Sequence, residues 1–389
     1  MGQQNYKDLW EIKSDVFTNH GSFGATPKAV LEKQAVLDKE FNASREQFFR
    51  QDCEGRLLNS KECISNLLNM PISDFVFVDN VTEGFNTVIK SLPLQSGDEV
   101  IITNHCYNCF VPVLDVESKR RKFRVVKADI TYPVTSEDAV IDAILSKVTD
   151  KTKLCIIDHI TSPTALIFPV KRIVEVLKKR GVEVFIDGAH APGQIDLNVG
   201  DIGAAYYSAN HHKWLCAPVS SGFLYVRPDR QDDIDPLVSS YMAGAADDFV
   251  KRFTWAGTRN PSARIMAGET IAYMDGLFSK GWGEIIERNH TLAVEVRALL
   301  CAELNISVPC QNDFFGSMFT VPLSSINIID PNSELNPAVQ IYNYTMQNFG
   351  FGMYIEPFEG QFLLRCSCHI YNTIEEYKKI AEAIKRICS

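Results

Sequence analysis

Phe185-Ile186-Asp187-Gly188-Ala189-His190-Ala191-Pro192-Gly193 ends an apolar run on a carboxylate and turns at once through glycine. Read with its neighbours, this stretch decides the fold. Residues 182–186 form a continuous apolar segment, and 153–157 before it and 204–208 and 222–226 after it repeat the pattern. Residues 75–78, 99–103 and 123–127 do the same nearer the start, which makes seven segments. Helical stretches at 82–92, 136–147 (opened by Ser136) and 170–180 separate them. Continuous apolar strands alternating with helices predict an α/β fold, with a mostly parallel seven-stranded sheet covered on both faces. Residues 27–52 read as one helix opened by Pro27, which suits a first turn. From about Pro261 the pattern changes to helical stretches at 262–278 and 282–303, strands near 318–321 and 362–366, and a last helix at 374–387. The expected organisation is an N-terminal arm (1–26), a large domain (27–260) and a smaller α+β domain with its linking helix (261–389).

In such a sheet, ligands bind beyond the carboxyl ends of the strands. The residues there are polar and ionisable: Asp79 to Thr82, Asn104 to Tyr107, Asp158-His159, Asp187 to His190, and Asn210-His211-His212-Lys213. A carboxylate buried at a strand end needs a cationic or hydrogen-bonding partner. A protonated pyridinium is one such partner, and it keeps an aromatic ring an electron sink. A buried lysine is costly unless paired or consumed, and an imine to an aldehyde cofactor removes that cost. Taken singly, Asp187 reads as a turn residue, His190 as a satisfied core histidine, Lys213 as a surface lysine and Arg365 as an ion-pair member. Only the ordered set points to chemistry.

That set is Asn19-His20-Gly21-Ser22-Phe23-Gly24, Asn80-Val81-Thr82-Glu83-Gly84, Asp158-His159-Ile160-Thr161-Ser162-Pro163, the run from Asp187 to Gly193, His212-Lys213-Trp214-Leu215-Cys216-Ala217-Pro218, Trp255-Ala256-Gly257-Thr258-Arg259, and Arg365 with Tyr371-Asn372-Thr373. In this order it resembles the class V aminotransferases, a family of fold-type I pyridoxal-5′-phosphate (PLP) enzymes. Within that family it resembles the branch of isopenicillin N epimerases, hercynylcysteine sulfoxide lyases and plant cysteine desulfhydrases.

The resemblance implies that Lys213 carries the cofactor covalently and moves the Cα proton, and that Asp187 pairs with the pyridine nitrogen. It places His190 near the ring or its 3′-oxygen, and Tyr107, or else His105, over the ring face. Thr82, at a helix N-terminus suited to phosphate, would bind that group with Asn210 and His212. Thr258 would reach the phosphate of a neighbouring subunit, which implies a homodimer with shared sites. Arg365 would clamp a substrate carboxylate with its planar fork. Asn19, Gly21 and Ser22 would line the substrate pocket, with Ser162 near the cofactor.

The reaction class follows from what is missing. Residues 350–364, ahead of Arg365, hold no cysteine and no long loop, which disfavours a persulfide-forming desulfurase. A carbon–sulfur β-lyase, such as one in ergothioneine biosynthesis, needs one base (Lys213) and an acid for the leaving sulfur (Tyr107). An epimerase needs a second base, for which Tyr107, His105 and His190 are candidates. The lyase on a cysteine conjugate or its sulfoxide is the favoured expectation and the epimerase the alternative. An aminotransferase and a non-catalytic scaffold rank lower.

Net charge is −9, and the one basic run, Lys119 to Lys122, is short, so no nucleic-acid partner is expected. No metal centre is expected, because the adjacent His211 and His212 would point to opposite sides of a strand. The first residues, Met1 to Asp8, lack a secretory apolar core, and no stretch is long and apolar enough to span a bilayer. The 11 scattered cysteines then read as thiols in a reducing cytosol.

Overall fold

The computed structural model describes residues 6–245 and 248–388. Seven strands, β1 (Phe75–Val78), β2 (Glu99–Thr103), β3 (Arg124–Ala128), β4 (Thr152–Asp158), β5 (Glu183–Asp187), β6 (Tyr206–Asn210) and β7 (Gly222–Val226), form one sheet in the order β1-β7-β6-β5-β4-β2-β3. Neighbours from β3 to β6 are parallel, and only β7 runs antiparallel to both β6 and β1. The mostly parallel α/β architecture expected from the apolar segments is the one found.

Side chains alternate between two cores, as a strand period of two requires. Ile101, Ile157, Ile186, Tyr207 and Phe223 enter one. Val100, Ile102, Ile156, Phe185, Tyr206 and Leu224 enter the other. Burial on both faces explains why the strands read as unbroken apolar runs rather than alternating ones.

The second face is covered by the helix Val81–Ser91. Its side chains Val81, Phe85 and Val88 recur at helical spacing into the same core, and Asn80 caps it by accepting from the Glu83 N–H at 3.1 Å. Leu92 is extended at ψ 135° ahead of Pro93, which ends the helix. Gly84 lets helix and sheet approach, since a Cβ there would meet Ser208 Oγ at 2.1 Å. Beside it lies the helix Phe110–Arg121. The basic run falls on its last turn, where Arg121 donates to the carbonyls of Ile89 and Leu92. Cations there complement the helix dipole.

A three-stranded antiparallel sheet, ordered β8 (Met318–Leu323), β10 (Gln361–Ser367), β9 (Ile355–Phe358), packs with the helices Trp282–Glu303 and Ile374–Cys388 around a separate core. The helix Ser262–Asp275 lies instead against the N-terminal helices, with Ile265 and Met266 packed among Val30, Leu37 and Phe48. The expected single helix over 27–52 is two. Lys28–Ala43 ends at Ser44, and helical turns resume from Arg45 through Leu68. Pro27 precedes the first helical residue rather than filling it. The helices Phe110–Arg121 and Pro337–Phe349 were not legible in the periodicity.

Candidate active site

The carboxyl ends of β2, β4, β5 and β6 converge beside the N-terminus of Val81–Ser91. This is the switch point of the sheet, since β3 lies on one side of β2 and β4 on the other.

Lys213 follows β6 and is buried, at 8% exposure. Its Nζ lies 3.2 Å from His190 Nε2 and 6.0 Å from the centre of the Tyr107 ring. Burial pulls the lysine down to about 8, against an opposing pull from Asp187. An amine poised there is a competent nucleophile and base near neutrality. His190 is held neutral by burial and by Lys213, and its Nδ1 has no partner among the described residues. Asp187 ends β5. Burial raises its carboxyl to about 6, while Oδ1 accepts the Ala189 N–H at 2.8 Å. Gly188 is required there because a Cβ would sit 2.1 Å from the Tyr207 ring.

At the helix N-terminus, Asn210 Oδ1 accepts the Val81 N–H at 2.9 Å and Asn80 caps Glu83. Among the described residues, the amide and hydroxyl of Thr82 make no hydrogen bond. Asn210 therefore completes the cap from the neighbouring strand and leaves Thr82 as the open donor of the turn. His212 is neutral, pushed to about 4 by burial and then by Lys213, and its buried Nδ1 lacks a partner. Thr258 is exposed and makes no contact with this group. The adjacent Arg259 lies 3.9 Å from Asp79 and 3.8 Å from Glu83, which puts the loop beside the same helix turn.

The other end of the site is built around Arg365 of β10, at 2% exposure. Nη1 donates to Ser162 O (2.7 Å) and Oγ (3.2 Å), and Nη2 to Ser22 Oγ (2.8 Å) and Asn19 Oδ1 (3.2 Å). The guanidinium stacks on Tyr354, 3.8 Å from the ring centre. Among the described residues no carboxylate pairs with it. Tyr354 is the member of this group that sequence reasoning missed, because nothing in residues 350–360 marks an aromatic as a platform rather than core. Gly21 and Gly24 bring the arm in. A Cβ on Gly21 would meet Met318 Sδ at 2.6 Å, and one on Gly24, at φ +73°, would meet His212 O at 1.7 Å.

His105 departs from its expected place. Its Nδ1 is 2.6 Å from Thr164 Oγ1 and its Nε2 2.9 Å from Ile130 O, with the ring packed on Phe358. Both nitrogens are used in the core, so His105 neither covers the site nor serves as a base. Ser162, expected near the cofactor, accepts from Arg365 through both its carbonyl and its hydroxyl. His20, Cys216 and His369 cluster behind Lys213 with ligand atoms within 4.8 Å. His20 bridges Tyr371 OH (2.6 Å) and Lys213 O (3.0 Å), which ties the arm to the lysine loop.

The profile of the Aminotransferase class-V family matches residues 25–380. The chain belongs to this family. Three curated relatives align over nearly its whole length. It is 27% identical to a probable chloroplastic L-cysteine desulfhydrase of Arabidopsis thaliana (98% of this chain, 86% of the relative). It is 24% identical to a hercynylcysteine sulfoxide lyase of Schizosaccharomyces pombe (96% and 94%) and 24% identical to an isopenicillin N epimerase of Streptomyces clavuligerus (94% and 93%). The solved cystine C–S lyase C-DES, in complex with its product cysteine persulfide, superposes with a TM-score of 0.76 at 17% identity, over 96% of this chain and 98% of that one.

The family's cofactor is PLP, and the residues present fit it. A buried amine, a carboxylate with one oxygen engaged, an open N–H and hydroxyl at a helix N-terminus, and two neutral histidines with orphaned nitrogens match its aldehyde, ring nitrogen, phosphate and oxygen substituents in donor and acceptor type.

Proposed function

We propose that this chain is a PLP-dependent carbon–sulfur lyase that cleaves a cysteine conjugate or its S-oxide to pyruvate, ammonia and a sulfur product. The observation that carries this reading is the Arg365 guanidinium, buried and held by four neutral hydrogen bonds, with no carboxylate paired to it among the described residues. A desolvated cation of fixed fork geometry suits the α-carboxylate of an amino acid.

PLP, when bound, supplies an electron sink at Cα. Lys213 would anchor it and, as a buried amine, would take the proton from the substrate's Cα. Asp187 would pair with the ring nitrogen, and Thr82, with His212, would hold the phosphate. Arg365, fixed by Asn19, Ser22 and Ser162, would orient the substrate by its carboxylate. Tyr107 is kept in its phenol form, since burial first and nearby Cys109 and Asp187 next push its pKa up. A phenol that holds its proton suits donation to a departing sulfur and is a poor base.

The same fact favours lyase over epimerase. The second face would need a base opposite Lys213, and His105 is sequestered while His190 touches Lys213 itself. Cys366 and Cys368 are buried with raised pKa values, and residues 359–360 form a tight turn at φ +47° and +83°. A mobile persulfide cysteine ahead of Arg365 is therefore not part of this reading. The exposed Thr258 supports a homodimer in which that residue serves the partner's site.

The test is incubation with cysteine, S-substituted cysteines and hercynylcysteine sulfoxide in deuterated water. Pyruvate forming with the sulfur product supports the lyase. Deuterium gained at Cα without pyruvate replaces it with the epimerase. A protein that stays colourless with PLP sinks both.

A further inference from the structure

One buried ionisable group at the site has no part in the mechanism above. Asp158 ends β4 as Asp187 ends β5, and the two are Cα partners in parallel register. Strand alternation puts both on the face of Ile156 and Phe185, under the helices Val81–Ser91 and Phe110–Arg121. Asp158 is 2% and Asp187 3% exposed. Side chains paired across adjacent strands lie close enough to repel strongly when both are charged and buried.

The groups facing the pair are few. Lys213 comes from the loop after β6, and Tyr107 and Cys106 from the loop after β2. Cys106 is driven toward its neutral thiol by burial, then by Asp158 and Asp187. Tyr207, which points to the other face from β6, is likewise held as a phenol by burial, then by Asp187. Among the described residues, Lys213 is thus the one cation acting directly on either carboxyl. A bound PLP would bring one ring cation to this pair. One cation suits one negative charge, not two.

We propose that Asp158 is a positioning residue that carries a proton beside Asp187, so that the pair's single negative charge rests on Asp187 and meets the cofactor's ring nitrogen. Two features say which carboxyl is charged. Asp187 Oδ1 accepts the Ala189 N–H at 2.8 Å, a bond that favours the anion more than Lys213 does, whereas the N–H groups of Tyr107 and of Asp158 itself help Asp158 less than Lys213 does. Burial and then Asp187 drive the Asp158 carboxyl well up, toward its neutral form. Neighbouring carboxyls pushed apart in this way take distinct roles. The inference rests on the PLP reading of the site but not on which bond the enzyme breaks.

The decisive measurement uses the cofactor-free protein. An infrared difference spectrum of wild type against Asp158→Asn near neutral pH should show the carbonyl stretch of a protonated carboxyl, lost in the variant. Absence of that band in wild type, or its persistence in the variant, overturns the proposal. A second measurement is PLP affinity. Asp158→Asn, a neutral hydrogen-bonding mimic, should bind within about threefold of wild type, and Asp158→Ala should bind about tenfold more weakly. Equal damage from both would mean that a charged Asp158 is needed, which also overturns it. If wild type binds no PLP, the functional reading fails, and the infrared result still decides the state of Asp158.

Discussion

The two ends of the site differ in how their charges are balanced. At the lysine end, one cation and two carboxyl groups face each other at strand ends of a single sheet, and two neutral histidines stand beside them. At the arginine end, a guanidinium as deeply buried hydrogen-bonds only neutral groups, two serines and an asparagine, and stacks on Tyr354, while Glu356 acts on it from the neighbouring strand without bonding it. The lysine end sets its cation directly against carboxyl groups of the chain, while the arginine end leaves its cation without a bonded anion. A cofactor pocket and a substrate pocket differ in that way when the first ligand stays and the second must leave.

The largest effect tests the lysine end. Lys213→Ala removes both anchor and base, so turnover should fall by about 10²–10⁴-fold or more. The visible band of the attached cofactor should vanish, even if PLP still binds by its phosphate. Retention of that band in the variant would move the anchor elsewhere.

Arg365→Met comes next and tests the arginine end alone. Loss of a charge-assisted, two-pronged bond costs about 2–3 kcal/mol, roughly 30–150-fold in kcat/KM. The cofactor spectrum should be unchanged, and Arg365→Lys should recover only part of the loss because a point charge lacks the fork. If the PLP spectrum collapsed, the two ends would not be separable.

Ser22→Ala and Asn19→Ala remove one neutral contact each from the guanidinium. Each should cost about 1 kcal/mol, roughly fivefold, in KM rather than kcat. A matching loss in kcat would assign the arm to the chemistry instead.

The smallest effect is a slope. In the cofactor-free protein Lys213 titrates near 8 and would return to about 10.5 on unfolding. Between those values the unfolded chain binds more protons, so this group makes stability rise with pH from about 8 to 10.5. Denaturation of apo wild type and Lys213→Met at both ends of that window should show the extra rise only in wild type.

How much was legible differs between the two ends for the same reason. Asp187 with its Gly188-Ala189-His190 turn, and His212-Lys213, are contiguous motifs, because a strand end and its turn are local structures with local rules. Arg365, Asn19, Ser22 and Ser162 were also named in advance, through the family resemblance, but not their mutual bonds. Those join residues more than 200 positions apart. His105 was misplaced because a polar residue just after a strand can face the site or the core, and the choice lies with Thr164 and Ile130. Tyr354 was missed because an aromatic used as a platform looks like any core aromatic.

By itself, then, the sequence determined the α/β sheet, its apolar strands and the strand-end motifs that carry Asp187 and Lys213, since burial on both faces and tight strand-end turns leave periodic and local marks. Only the tertiary structure decided what Arg365 lacks, what Asp158 stands beside and where His105 turns. Those depend on which groups meet across strands and domains, and partners in space leave no spacing to read along a chain.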